Sequence, residues 1–267
     1  MPESARLSIV LPAYNEAERI GPSLDELMGY LRGTNGASNS HALPPVIDVL
    51  VVDDGSPDGT ADIVRSRPEA GDQAIAGVSL RVMTVPHGGK GAAVRAGILA
   101  ADSDLVLFTD ADLATPPDQL PLMVDALSRA DVALGSRIQP DGTDMRASQP
   151  AYRRLIGKVF HVLASWWVVG PVQDTQCGFK GFTREAAHDL FGRQRLTSIV
   201  FDVELVYLAR RRGYRIEIVP IQWADRRGSR MKARPALALR VAWDLFRIPL
   251  IHRSVAAAQR AVRDELG

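Results

Sequence analysis

The chain has 267 residues, 46% apolar and 24% charged, with a formal net charge of +1. That composition excludes a disordered or low-complexity chain and suits one sizeable α/β domain, while the single cysteine, Cys177, excludes a disulfide-stapled fold. No uncharged apolar run reaches the ~18 residues of a spanning helix, and LSIVLPAY passes straight into the polar NEAER, so neither a membrane span nor a secretory leader is expected and the chain is predicted to be cytoplasmic.

LSIVLPAY reads as the first strand. Asn15 is then predicted to cap a helix with Glu18 as its capping-box partner. Ile20, Leu24, Leu27, Met28 and Leu31 form that helix's apolar face, and Gly33 stops it. A polar loop follows from Gly33 to Pro45. VIDVLVVDD, LRVMTV, DLVLFTDA and DVALGSR read as further strands; their Val, Ile and Leu runs lack two-residue alternation, as strands covered on both faces should. Between them GKGAAVRAGILAA is a helix with a glycine-rich entry, and PPDQLPLMVDALSRA is another with Pro121 in its first turn. Strand–helix alternation of this kind predicts a Rossmann-like, mainly parallel sheet with helices on both faces.

Asp141 to Pro150 reads as a seam. A nucleotide-binding half is expected over 1–140, an acceptor half over 141–232, and a basic helical tail over 233–267. Two apolar helices follow the seam. In AYRRLIGKVFHVLASWWVV the residues Arg154, Lys158, His161 and Ser165 make one polar stripe; in PALALRVAWDLFRIPLI the only charges, Arg240, Asp244 and Arg247, make another. Such helices can lie in a membrane interface, or pack on the domain or on a second subunit. From Arg226 onward ten Lys and Arg face three Asp and Glu, a net of +7, leaving −6 for the first 225 residues. A basic tail attracts anionic membranes or nucleic acid. No nucleic-acid module is present to favour the second.

In open parallel sheets, ligands bind beyond the carboxyl ends of the strands. Four predicted strands end there in polar groups: Tyr14-Asn15-Glu16, Asp53-Asp54-Gly55, Asp110-Ala111-Asp112 and Ser136-Arg137. A turn would bring Asp110 and Asp112 to one ion, and two hard oxygen donors with phosphate oxygens suit Mg²⁺ or Mn²⁺. The bland reading is that they cap the helix at Pro116. Asp53 could accept from a base N–H or a ribose hydroxyl, or simply close a turn. Lys90 in HGGKGAAVR departs from the Walker pattern, yet beside a helix N-terminus it could hold a diphosphate. Asp202 could cap its helix, with Glu204 bonding in the first turn, or both could serve the site.

Together LPAYNE, VVDDGSPDGT, GGKGAAVRAG, FTDADLATP, LGSR, DTQCGFKGFTREAA, FDVELVYLARRRGY and the late W-x-D-x-x-GSR resemble the inverting family 2 glycosyltransferases, over about Leu7 to Arg230. Within these the chain is most similar to the dolichyl- or polyprenyl-phosphate sugar synthases. DTQCGFK followed by FDVEL looks most like the dolichyl-phosphate β-glucosyltransferases, while VVDDGSPDGTA is equally at home in phosphomannose synthases. The resemblance implies a glycosyltransferase type-A fold and a metal-dependent inverting transfer of a hexose, glucose from UDP-glucose first, to a polyprenyl phosphate. GDP-mannose and UDP-N-acetylhexosamines remain alternative donors, and a soluble or polysaccharide hydroxyl an alternative acceptor. A catalytically silent nucleotide-binding scaffold is the rival of a different class.

By the same resemblance Pro12, Tyr14, Asn15 and Glu16 would line the nucleotide pocket with Asp53, Asp54, Lys90 and Ala111. Asp110 would lie near the ribose or diphosphate and Asp112 on the metal. Arg137 with Arg153 or Arg154 would hold the acceptor phosphate. Asp174, Gln176, Asp202 and Glu204 would face the sugar, and Arg230 would close over the diphosphate. Ala114 stands where some relatives carry a polar metal ligand. With no anchor span predicted, membrane attachment falls to the two amphipathic helices, giving a peripheral protein on the cytoplasmic face, with a homo-oligomer as the other use of those helices.

Overall fold

The computed structural model describes residues 5–34, 43–71, 75–145, 167–168, 170, 172, 174–224, 226 and 235–256. Seven strands form one sheet: β1 (Arg6–Ala13), β2 (Val46–Asp53), β3 (Val78–Thr84), β4 (Leu105–Phe108), β5 (Val132–Ser136), β6 (Lys180–Thr183) and β7 (Ile216–Pro220). Their order is β3-β2-β1-β4-β6-β5-β7. Only β6 runs antiparallel to its neighbours, β4 and β5.

The helices are α1 (Ile20–Thr34), α2 (Thr60–Arg65), α3 (Lys90–Ala100), α4 (Leu120–Leu127), α5 (Arg184–Arg193), α6 (Phe201–Arg211) and α7 (Pro235–Ile251). Successive strand residues point to opposite faces, and both faces of the central strands are covered. On β2, Leu50 and Val52 enter an apolar cluster with residues of α3, α5, α6 and α7. Ile47, Val49 and Val51 enter a second one with α1 and α4. This is why the strands read as unbroken apolar runs. Gly97 lets α3 lie close on the sheet: a Cβ there would sit 2.5 Å from Val10 Cγ1 and 2.7 Å from Val52 Cγ2.

Three expectations need correction. Two strands, β6 and β7, go beyond the five predicted. β6 is a four-residue segment opening with Lys180, and β7 is a half-exposed edge strand ending in Pro220, a position that proline tolerates. The Asn15/Glu18 capping box does not form. Asn15 takes a positive φ of 56°, and the amides of Asn15, Glu16 and Ala17 donate instead to Ser56 Oγ, Thr60 Oγ1 and Asp58 Oδ2. The Asp53–Thr60 turn thereby clamps the chain after β1, and α1 starts only at Ile20. The helix predicted over 116–130 opens as a 3₁₀ turn, Pro117–Gln119, before α4. On α7 the polar stripe is split: Asp244 is buried and Arg247 half-buried, whereas Arg240 is exposed along with Leu239, Trp243, Phe246 and Leu250.

Candidate active site

Parallel β1, β2, β3, β4, β5 and β7 all end at one edge of the sheet, and antiparallel β6 starts there. Ala13 pairs with Asp53 and Asp53 with Thr84, while Phe108 pairs with Lys180. The chain direction of β6 therefore delivers the loop Asp174–Phe179 to the Asp110–Asp112 turn. Gly178 packs so closely on Asp110 that a Cβ would be driven into its carboxylate.

The turn after β4 is tight. Leu113 has φ 48°, its amide donates to Asp110 O at 3.0 Å, and Ala114 N donates to Asp112 Oδ1 at 3.1 Å. Burial, then the neighbouring charge of Asp110, pushes the Asp112 carboxyl above the ordinary carboxylate range. Two acids held together against that penalty are poised for a cation. Among the described residues no group of three or more His, Cys, Asp or Glu gathers to hold a metal alone. A divalent ion at Asp110 and Asp112 would draw its remaining ligands from the donor's phosphates and water, as Mg²⁺ commonly does. Ala114 contributes only backbone: its carbonyl accepts from Ala224 N at 2.9 Å.

Lys90, the first residue of α3, reaches Asp110 with Nζ 2.5 Å from Oδ1. Asp110 and Asp202 hold its ammonium above its ordinary value against burial, which acts most strongly and the other way. The glycines around it have no room for side chains. A Cβ on Gly89 would lie 3.1 Å, and one on Gly91 2.9 Å, from Thr197 O.

Asp53 and Asp54 are both buried, with distinct partners. Asp53 accepts weakly from Ser56 N, at 3.3 Å for each oxygen. Asp54 is held by the amides of Gly88 and Gly89 at 2.8 and 2.9 Å and by His87 Nδ1 at 2.8 Å. Its carboxylate thus shapes the glycine turn from inside. Tyr14, 40% exposed, stacks on His87 at 4.2 Å. Pro12 is half-buried on β1, Ala111 is buried, and Glu16 makes a two-pronged contact with Arg19, both distances 2.6 Å.

Arg137 and Asp174 were expected to serve the acceptor and the sugar separately. The structure joins them. Arg137 donates from its backbone N and Nε to Asp174 Oδ2, both at 2.8 Å, and from Nη2 to Oδ1 at 2.5 Å. Asp174 sits at φ 50°, and the guanidinium lies 5.5 Å from the centre of the Trp223 ring. Gln176 is half-buried in the same loop.

The Asp202/Glu204 pair is parted. Residues two apart on a helix do not share a face. Asp202 Oδ1 lies 2.6 Å from Lys180 Nζ, which also donates to Cys177 O at 2.5 Å. Both side chains of the ion pair are at most 5% exposed. Glu204 faces away from the edge: it accepts from Arg195 N and Leu196 N at 2.8 and 2.9 Å and meets His252 Nε2 at 2.6 Å. It is a buried structural anchor, which corrects the expectation that it faces the sugar. Arg153, Arg154 and Arg230 lie outside the described residues.

Sequence reasoning overlooked Lys180, His87, Trp223 and Arg226. Lys180 opens a short strand among apolar neighbours, where a lysine without a counter-ion would be costly; that was its signal. Arg226 grips Glu26 of α1 through both terminal nitrogens, at 2.7 and 2.8 Å, so the segment after β7 crosses the edge past Ala114. Cys177 is an ordinary packed thiol, pushed up to about 11 by burial, with Asp174 adding to it.

Comparison with known proteins identifies the family and the fold. The sequence matches glycosyl transferase family 2 over residues 8–191. A dolichyl-phosphate β-glucosyltransferase of Trichomonas vaginalis is 34% identical over 260 residues, covering 95% of this chain and 73% of that protein. The Homo sapiens dolichyl-phosphate β-glucosyltransferase is 32% identical over 234 residues, 85% of this chain and 69% of that one. Among solved structures, glucosyl-3-phosphoglycerate synthase from Mycobacterium tuberculosis in complex with Mn²⁺, uridine diphosphate and glucosyl-3-phosphoglycerate superposes with a TM-score of 0.58 at 19% identity. That superposition covers 96% of this chain and 82% of the other, and it shows a shared fold. The chain belongs to glycosyl transferase family 2.

Proposed function

We propose that this glycosyltransferase moves glucose from UDP-glucose to a polyprenyl or dolichyl phosphate, inverting the anomeric carbon. The observation that carries the reading is the β4 tip, where Asp110 and Asp112 are held together beside the Lys90 ammonium. The relatives named dolichyl-phosphate β-glucosyltransferases support the choice of sugar and acceptor. Mg²⁺ or Mn²⁺ held by Asp110 and Asp112 would neutralise charge on the departing diphosphate, the kind of electrostatic help that dominates such transfers. Lys90 supplies a fixed positive charge to the same diphosphate. Tyr14 and Asp53 frame the nucleoside at the tips of β1 and β2.

Arg137, oriented by Asp174 and Trp223, offers its remaining donors to the acceptor phosphate, for which a guanidinium is well shaped. A phosphate monoester is already largely dianionic at neutral pH, its second pKa being about 6. No strong general base is therefore required, and Asp202, fixed by Lys180, serves to orient the sugar. No described helix is long and apolar enough to cross a membrane. The exposed row on α7 is the surface by which the protein would rest on the cytoplasmic face of the lipid.

The test is one assay. Purified full-length protein is given polyprenyl phosphate and, separately, UDP-glucose, GDP-mannose and UDP-N-acetylhexosamines, with and without EDTA. Metal-dependent formation of one glycolipid, fastest with UDP-glucose, is expected. Transfer to a sugar hydroxyl but never to lipid phosphate would overturn the acceptor, and a faster GDP-mannose reaction would overturn the donor.

A further inference from the structure

The segment between α5 and α6, residues 194–200, touches neither acid of the β4 tip, yet it holds the turn that carries Lys90. Gly91 N donates to Thr197 O at 3.1 Å, and Gln194 Nε2 donates to Gly91 O at 2.9 Å and to Leu196 O at 2.7 Å. The Cβ distances at Gly89 and Gly91 show how close the Thr197 carbonyl stands. The two sides are in backbone contact, so a shift of the segment must move the glycine turn.

The same segment is gripped from outside by α7 at two places. Ser198 Oγ donates to Asp244 Oδ2 at 2.7 Å. Further along, the buried Glu204 accepts the amides of Arg195 and Leu196 and pairs with the buried His252, just past the helix end. Asp244, Leu245, Ile248 and His252 all face inward. The opposite face carries Leu239, Trp243, Phe246 and Leu250, with Trp167 stacked on Phe246 at 5.7 Å.

We propose that the 194–200 segment is a coupling strap, through which the seating of α7 sets the position of Lys90. Ser198, Asp244 and His252 are its positioning residues. A lipid-bearing surface that presses on α7 would then act on the hold over the donor diphosphate from the far side of α6. The link from α7 to Lys90 stands on the contacts above; its meaning for donor binding rests on the proposed function.

Ser198→Ala removes the bond to Asp244, the grip on the strap itself, leaves the Glu204–His252 hold in place, and spares every group placed in the site. Two measurements on the full chain decide the matter. Hydrogen exchange of the amides of Gly88–Gly91 should speed up in Ser198→Ala, with the β1 and β2 amides unchanged and with rescue by Ser198→Thr. In calorimetric titration with UDP and Mn²⁺, Kd should rise about fivefold or more, the ordinary size of a coupling between sites, while KM for polyprenyl phosphate stays put. Unchanged exchange at Gly88–Gly91 overturns the proposal. So does faster exchange spread evenly through the sheet, which marks simple destabilisation. Should the unsubstituted protein bind no UDP, the donor assignment fails, and the exchange result still decides the coupling.

Discussion

Asp112 and Glu204 are both buried acids, and their surroundings give them opposite consequences. The carboxyl of Asp112 is pushed up by burial and by Asp110, so the fold disfavours its charged form and neutralising it should cost no stability at pH 7. We expect Asp112→Asn to unfold at the same or a higher urea concentration than the native protein. Turnover should fall by about 10² or more, typical of losing one group that stabilises developing charge. Parallel urea titration and product assay check both halves. Glu204 is satisfied by two amides and by His252. Glu204→Ala leaves those donors without an acceptor in a fully buried place and should cost about 3–5 kcal/mol. A loss below 1 kcal/mol by urea titration would mean that the anchor is not needed.

At the scale of elements, α3 tests how tightly helix meets sheet. Gly97→Ala would press a methyl onto Val10 and Val52, branched side chains on central strands with little room to turn. Overpacking of this kind typically costs about 1–3 kcal/mol, and a lower thermal midpoint should report it, although alanine is the better helix former. The clamp between α5 and α6 is electrostatic. Burial opposes the charge on Asp189, yet hydrogen bonds from Arg212, Arg193 and Tyr214 hold its carboxyl below the ordinary carboxylate range. A folded group that binds its proton less readily than the unfolded one stabilises fully above about pH 4 and loses that contribution as pH falls through the lowered value. The stability gap between native protein and Asp189→Asn should thus be present at pH 7 and shrink by pH 3. Apolar runs made β1, β2, β4 and β5 legible in the sequence, because burial on two faces leaves no other pattern. KGFT and IEIVP carried no such run: β6 exists because its neighbours present two open edges, and that information is not local.

For the whole molecule, the convergence of strand ends was readable, because the acids, Tyr14 and Arg137 each close an apolar run. How they pair was not. Arg137 with Asp174 and Lys180 with Asp202 join segments distant in sequence, which only the antiparallel insertion of β6 brings together. The orientation of α7 was also hidden, since its charges could as well have faced water. Asp244 is buried against Ser198 and Arg247 half-buried, Arg240 stays exposed, and the row Leu239, Trp243, Phe246 and Leu250 faces out. The exposed apolar row has a measurable outcome. Apolar side chains gain roughly 1.5–3 kcal/mol each on full burial, and basic residues about 1 kcal/mol each beside an anionic leaflet. Replacing Trp243 and Phe246 by Ser should therefore weaken co-sedimentation with phosphatidylserine-containing vesicles by about tenfold or more. The aromatic share should persist in high salt, whereas the basic share is screened. Because both side chains are exposed, the fold and UDP binding should survive the double substitution. Unaltered vesicle binding in a folded variant would show that α7 faces something other than lipid.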